Sequence, residues 1–243
     1  MIILQDLFNT LATGVYANTA LKGTDNALKA EHYGKVVNII NLGIIELYKR
    51  FKFLENELTL HITPLTTNYY LRPSRVADLE DITESLYIET PPVGSEGFLN
   101  IIKLTAIYDS NGNEIKCNNK SSYTSDYPTI IELATDILQI TNFTAAQTLN
   151  IMYQAYPDKL TAVSYADPAT YEFNIPEIVI DPLISYIAAK TFKPMGSNDS
   201  TANADKSASY EQQYELACQK LAMYGLSVQD RIDRETFDSN GWV

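Results

Sequence analysis

The sequence predicts an α+β fold: a helical bundle built from the N- and C-terminal segments, with a small antiparallel β-module inserted between them. Three observations carry this. Apolar residues recur every three to four positions near both ends of the 243-residue chain. Between about 57 and 160 the period falls to two. An Asn111-Gly112 pair between two apolar runs is a strong hairpin signal. The expected organisation is therefore a helical body over 1–56 and 176–225, a β-rich insertion over 57–175, and an extended C-terminal arm over 226–243.

Leu4, Leu7, Phe8 and Leu11 fall at i, i+3, i+4 and i+7, so a short helix opens the chain and closes at Thr13-Gly14. A polar loop leads to Asp25, placed to cap a long helix over about 26–53. Tyr33, Val36, Val37, Ile40, Ile44, Leu47 and Phe51 form its stripe, and Lys49, Arg50 and Lys52 suit the negative pole at its end. Leu58, Leu60 and Ile62 alternate with polar residues as a half-buried strand, stopped by Pro64. A short, helix-compatible stretch lies near 74–79. Ile101 to Tyr108 reads as a strand, Asp109 to Asn113 as the turn, and Glu114 to Cys117 as the return strand. A polar excursion covers 118–128, and two further strands are expected at about 130–141 and 148–156.

Asp181-Pro182 then reads as an N-cap followed by Pro at the first helical position, opening a helix to about Phe192 striped by Leu183, Ile184, Ile187 and Ala188. The last helix runs from about Ala202 to Tyr224 and stops at Gly225. Tyr210, Tyr214, Ala217, Leu221 and Tyr224 form a seam that packs on another helix, in this subunit or a neighbour. Residues 226–243 show no period. They are either a frayed terminus or an arm that orders on a partner, and Trp242, the sole Trp, favours the arm.

Composition narrows the function. The chain carries 18 Lys+Arg against 30 Asp+Glu, a net charge of −12, with 45% hydrophobic residues. It is too apolar for a disordered acidic chain and has no basic cluster beyond Lys49-Arg50 to neutralise nucleic acid. Residues 1–122 hold 11 basic and 14 acidic residues; residues 123–243 hold 7 and 16. By halves, most of the acid excess is C-terminal. The start has no basic n-region, and no apolar run reaches membrane-spanning length, so neither a signal peptide nor a membrane association is expected, and synthesis in the cytoplasm fits best. Cys117 and Cys218 make neither a zinc spacing nor a disulfide framework.

No catalytic signature is present. The two histidines, His32 and His61, read as surface or satisfied side chains, and no nucleophile elbow, phosphate-binding loop or zinc helix motif occurs. Asp109-Ser-Asn111-Gly112-Asn113-Glu114 begins like a calcium loop, but its sixth position is Glu114 and its twelfth Lys120. The expectation is no enzyme, no metal and no cofactor.

Several stretches bear a resemblance. Val36-Val-Asn-Ile-Ile-Asn41-Leu-Gly-Ile-Ile-Glu46-Leu-Tyr-Lys-Arg50 looks like an early helix, and Tyr153-Gln-Ala-Tyr-Pro157 like the strand that closes a β-insert. Ile175-Pro176-Glu177 through Asp181-Pro-Leu183 to Tyr186 and Lys190 looks like the start of a late helix, and Ala208, Tyr210 and Tyr214 like the last one. Together these are similar to the head-to-tail connector (adaptor, or ring) proteins of tailed bacteriophages. The resemblance implies a virion protein of the head–tail junction, made in the host bacterial cytoplasm. It implies a homo-oligomeric ring, commonly a dodecamer, docked beneath the portal protein. Such a ring extends the channel for double-stranded DNA without binding it specifically, and offers the attachment surface for tail or nozzle proteins.

Under that resemblance, partner contacts are expected at Phe237, Trp242 and Val243 and on the exposed side of the last helix. Acidic residues of the C-terminal block, Asp199, Asp205, Glu211 and Glu215, are candidates for the channel lumen, where like charge would keep phosphates from sticking. The alternative is a glycan- or receptor-binding virion or surface module, suggested by the 17 Tyr.

Overall fold

The computed structural model describes residues 2–23, 27–117, 129–143, 145–193 and 201–226. In chain order, β1 (Ile2–Ile3) runs into α1 (Leu4–Thr13), and α2 (Tyr33–Arg50) follows one 3-10 turn, Ala30–His32. Then come β2 (Glu55–Ile62), β3 (Asn68–Tyr70), β4 (Val76–Ala77), β5 (Ile88–Glu89) and β6 (Ile101–Asp109). Next are β7 (Thr129–Ala134), β8 (Ile137–Thr141) and β9 (Gln147–Ala155). The chain closes with α3 (Ala162–Ala166), β10 (Glu172–Phe173), α4 (Ile180–Phe192) and α5 (Thr201–Met223). It divides into two compact units, Met1–Phe53 with Lys159–Val243, and Leu54–Asp158.

In the helical unit, α1 buries Leu4, Leu7, Phe8, Leu11 and Ala12, the face its spacing dictates. The Phe8 ring stacks on Tyr33, with centroids 4.6 Å apart. β1 pairs antiparallel with β10, Ile2 opposite Phe173. α2 buries Val36, Val37, Ile40, Gly43, Ile44, Leu47 and Tyr48. At Gly43 the helix meets α4 so closely that a Cβ would lie 2.8 Å from both Leu183 Cδ1 and Tyr186 Cδ1. Asn41 anchors the returning chain: its Nδ2 donates to the Leu160 carbonyl and its Oδ1 accepts from the Leu160 amide, both at 2.9 Å. A capping box between Thr161 and Ser164 then starts α3. α4 packs against both α2 and α5. Its contact with α5 includes the Ser207 hydroxyl donating to the Ala189 carbonyl at 2.9 Å. Two ring pairs, Tyr186–Tyr214 and Phe192–Tyr210, add to it.

In the β-rich unit, the order β4-β5-β2-β9-β6 makes a five-stranded sheet and β3-β8-β7 a three-stranded one. β2 and β9 pair antiparallel over their length, from Glu55 opposite Gln154 to Ile62 opposite Gln147. Their alternation puts Leu58, Leu60 and Ile62 on the same buried face as Leu149, Ile151 and Tyr153. Tyr69, Leu71, Tyr87, Ile130, Leu138 and Ile140 complete one core shared by both sheets. Every fully buried aliphatic side chain there contributes roughly 1.5–3 kcal/mol.

The predicted fold class is corrected here. The β part is not a small module set into a bundle. It is a β-rich domain with eight of the ten strands, two sheets and its own core. The difference comes from β3, β4 and β5, which are two or three residues long and carry no readable period. One pairing, β4 with β5, is parallel. The expected single strand at 130–141 is a hairpin, folded back at Thr135-Asp136, where the Asp136 carbonyl accepts from the Leu71 amide at 2.8 Å. The stretch at 74–79 holds 3-10 turns at Pro73–Arg75 and Leu79–Asp81 on either side of β4. The return strand at 114–117 is reduced to isolated bridges, Tyr108 to Glu114 and Cys117 to Ile130.

Two helix starts also shift. α2 begins at Tyr33 rather than near 26, and Asp25 lies outside the described residues. α4 begins at Ile180, after a 3-10 turn, so Asp181 sits inside the first turn rather than at the N-cap. Its carboxylate still faces the positive pole of the helix.

Gly43→Val should lower stability by roughly 2–3 kcal/mol through overpacking against Leu183. Asn41→Ala should cost about 2 kcal/mol, because it strands both backbone groups of Leu160. Chemical denaturation of the full chain, followed by far-UV circular dichroism, reads both.

Candidate functional site

α5 is the element that offers a surface. Ser207, Tyr214, Cys218 and Leu221 face α4 and are buried. This settles the predicted seam: Tyr214 and Leu221 pack within the chain, whereas Tyr224 is 73% exposed. The opposite side of α5 is exposed among the described residues. Ala208, Glu211, Gln212, Glu215, Leu216 and Gln219 form one exposed face of this helix. Leu216 is 57% and Met223 84% exposed on the same helix.

Charge on this helix is partly spent. Arg50, at the end of α2, forms a forked pair with Glu215, Nη1 to Oε1 at 3.0 Å and Nη2 to Oε2 at 3.1 Å. The same guanidinium lies 5.5 Å from the centre of the Tyr214 ring. The hydrogen bond to Glu215 holds the Arg50 proton more tightly than usual, and burial pushes the Tyr214 hydroxyl and the Cys218 thiol up. Asp205 and Glu211 are exposed. Asp199, Phe237, Trp242 and Val243 lie outside the described residues.

Counted by structural unit, the acid excess falls differently than by halves. Leu54–Asp158 holds 14 acidic and 5 basic residues, net −9, whereas the helical unit holds 16 and 13, net −3. The charge is thus concentrated on the β-rich unit, where Asp78, Glu80, Asp81 and Glu84 are all exposed.

The remaining candidates assemble no chemistry. The Asp109 carboxylate accepts from the Asn111 and Asn113 amides, both at 2.8 Å, and from the Asn113 side chain at 3.0 Å. Those bonds, led by the Asn113 side chain, hold its carboxyl below the usual range. They fit a turn, as does Gly112 at φ +82°. His32 lies 3.4 Å from Glu31, and His61 3.6 Å from Glu89 across neighbouring strands. Among the described residues no group of three or more His, Cys, Asp or Glu could hold a metal. No described helix is long and apolar enough to cross a membrane. Of the fifteen tyrosines described, six are buried, eight are half-buried and Tyr224 is exposed.

Comparison with known proteins decides the family. The family model described as SU10 adaptor protein matches residues 5–239. The chain belongs to the SU10 adaptor protein family. It is accordingly a structural adaptor of a bacteriophage and a component of the virion, and its partners are other virion proteins. No curated protein matches the chain.

For this SU10 family adaptor, the pair Arg50–Glu215 escaped the sequence because its members are 165 positions apart. Leu216 could have been found: it is an apolar residue on the polar side of the Tyr214–Leu221 seam. Glu215→Gln should cost under about 1 kcal/mol, and less at high salt, since the pair is partly exposed. Arg50→Ala should cost more, because it also uncovers Tyr214. Thermal melts at low and high ionic strength separate the two effects.

Proposed function

We propose that this adaptor assembles as a homo-oligomeric ring beneath the portal, extends the channel through which double-stranded DNA passes, and carries the surface on which the tail assembles. The match to the adaptor family over residues 5–239 is the observation that carries it. Two features of the molecule support it. The helical unit exposes apolar side chains, Leu42 on α2 and Leu216 on α5, that a neighbouring subunit repeated around an axis could cover. The β-rich unit has its own core, so it can present loops without depending on ring contacts for its stability.

DNA would pass without specific binding, along a wall that repels phosphate. The charge by unit favours the β-rich unit as the source of that repulsion over Asp199, Asp205, Glu211 and Glu215. Only Asp205 and Glu211 of that set are described as exposed carboxylates without Arg50 beside them.

Negative-stain microscopy and mass measurement of the full chain, alone and mixed with the portal of the same phage, test the assembly. Rings, or stoichiometric binding to the portal, are the expected result; a chain that stays monomeric and ignores the portal overturns it. The segment that holds Phe237, Trp242 and Val243 is proposed as a partner-binding arm. Deleting 230–243 should leave the melting temperature within about 2 °C and reduce assembly severalfold. A collapse in stability would instead place that segment in the core.

A further inference from the structure

We propose that Asn111 is a latent site of covalent modification, conversion to isoaspartate through attack by the Gly112 backbone nitrogen, and that Asp109 keeps this site closed in the folded chain.

An asparagine followed by glycine carries its own reactant. The glycine nitrogen, once it loses its proton, attacks the asparagine Cγ. The new N–Cγ bond closes a succinimide ring, and the side-chain nitrogen leaves as ammonia. Water then opens the ring at either carbonyl, which gives aspartate or isoaspartate. Nothing is oxidised or reduced, and water is the sole co-reactant. A side chain on the following residue hinders ring closure, and glycine has none.

The hairpin after β6 requires this pair. Gly112 has φ +82°, in the left-handed region that glycine adopts without cost. A Cβ placed there would meet nothing within 4 Å, so no neighbour shields the position in place of a side chain. Ser110, Asn111, Gly112 and Asn113 are all exposed to water. The residue that the turn needs is thus the one that opens Asn111 to attack.

Asp109 ties down both reacting residues. The Gly112 amide donates to the Asp109 carbonyl at 3.0 Å, so the attacking nitrogen is engaged. The Asn111 amide donates to Asp109 Oδ1 at 2.8 Å. The same oxygen accepts from the Asn113 amide at 2.8 Å, and Oδ2 accepts from Asn113 Nδ2 at 3.0 Å. The Asp109 amide donates to the Asn113 carbonyl at 2.9 Å and the Ile115 amide to the Ile107 carbonyl at 2.7 Å, which closes the ladder below the turn. Ring closure needs the Gly112 nitrogen free and residue 111 rotated about its backbone, and both require the turn to open. Asp109 is therefore a positioning residue. Conversion would add a carboxylate and, as isoaspartate, a backbone methylene at the hairpin tip.

The full chain supplies its own reference, because Ser110-Asn111-Gly112 and Ser239-Asn240-Gly241 are the same tripeptide. Trypsin releases Asn111 within 104–116 and Asn240 within 235–243. Mass spectrometry reads the change from amide to acid, and fragment spectra separate Asn111 from Asn113. At one pH and temperature, ageing in urea should convert Asn111 and Asn240 at similar rates. In the folded chain Asn111 should convert at least roughly tenfold more slowly than in urea. Asp109→Ala, with folding confirmed by circular dichroism, should speed Asn111 roughly tenfold and leave Asn240 unchanged. Asp109→Ser, which keeps a hydroxyl acceptor, should fall between. No conversion of Asn111 in urea overturns the site. A folded-chain rate close to the urea rate overturns its closure. Slow conversion that neither Asp109 variant raises overturns the role of Asp109.

Discussion

The pairing of β2 with β9 is the constraint on which the rest of the molecule depends. Eight residue pairs, from Glu55 with Gln154 to Ile62 with Gln147, join segments far apart in sequence. The ladder returns the chain to where it left: the Ala155 amide donates to the Leu54 carbonyl at 3.0 Å. Only because the β-rich unit ends where it begins can Met1–Phe53 and Lys159–Val243 form one helical unit. The Asn41 clasp on Leu160 completes the closure on the helical side. Loop-closure entropy opposes such long-range contacts, so the buried face of Leu58, Leu60, Leu149 and Ile151 must offset it.

The same architecture shows what many of the described polar side chains are used for. Its polar side chains are used for holding backbone, as Asn41, Ser207 and Asp109 do. Six of its described tyrosines, Tyr69 and Tyr153 among them, are buried in cores. That leaves the outward sides of the helices, which suits a protein whose family is defined by joining others.

Legibility from sequence followed the range of the interaction. The face of α1 was readable because Leu4, Leu7, Phe8 and Leu11 repeat within a single helix. β2 and β9 were readable because each alternates over several residues. The short strands β3, β4 and β5 were not, since their pairing partners, not their own pattern, make them strands. That gap is why the sequence suggested a small insertion in place of a β-rich domain. The hairpin of β7 and β8 hid inside one apolar run because Thr135-Asp136 is a weaker turn signal than Asn111-Gly112. The Arg50–Glu215 pair needed the tertiary fold before either residue had a partner, and counting charge by halves missed a split that follows the domain boundary.

The split helical unit also has a consequence during synthesis. The apolar face of α2 emerges from the ribosome early, yet α4, which packs against it, follows only after all of Leu54–Asp158 has been made. At about 5–20 residues per second that interval lasts several seconds. The β-rich unit, with its own core, can fold within that time, whereas the side of α2 that packs on α4 waits for its partner. The helical unit is therefore completed only after the whole β-rich unit has been synthesised.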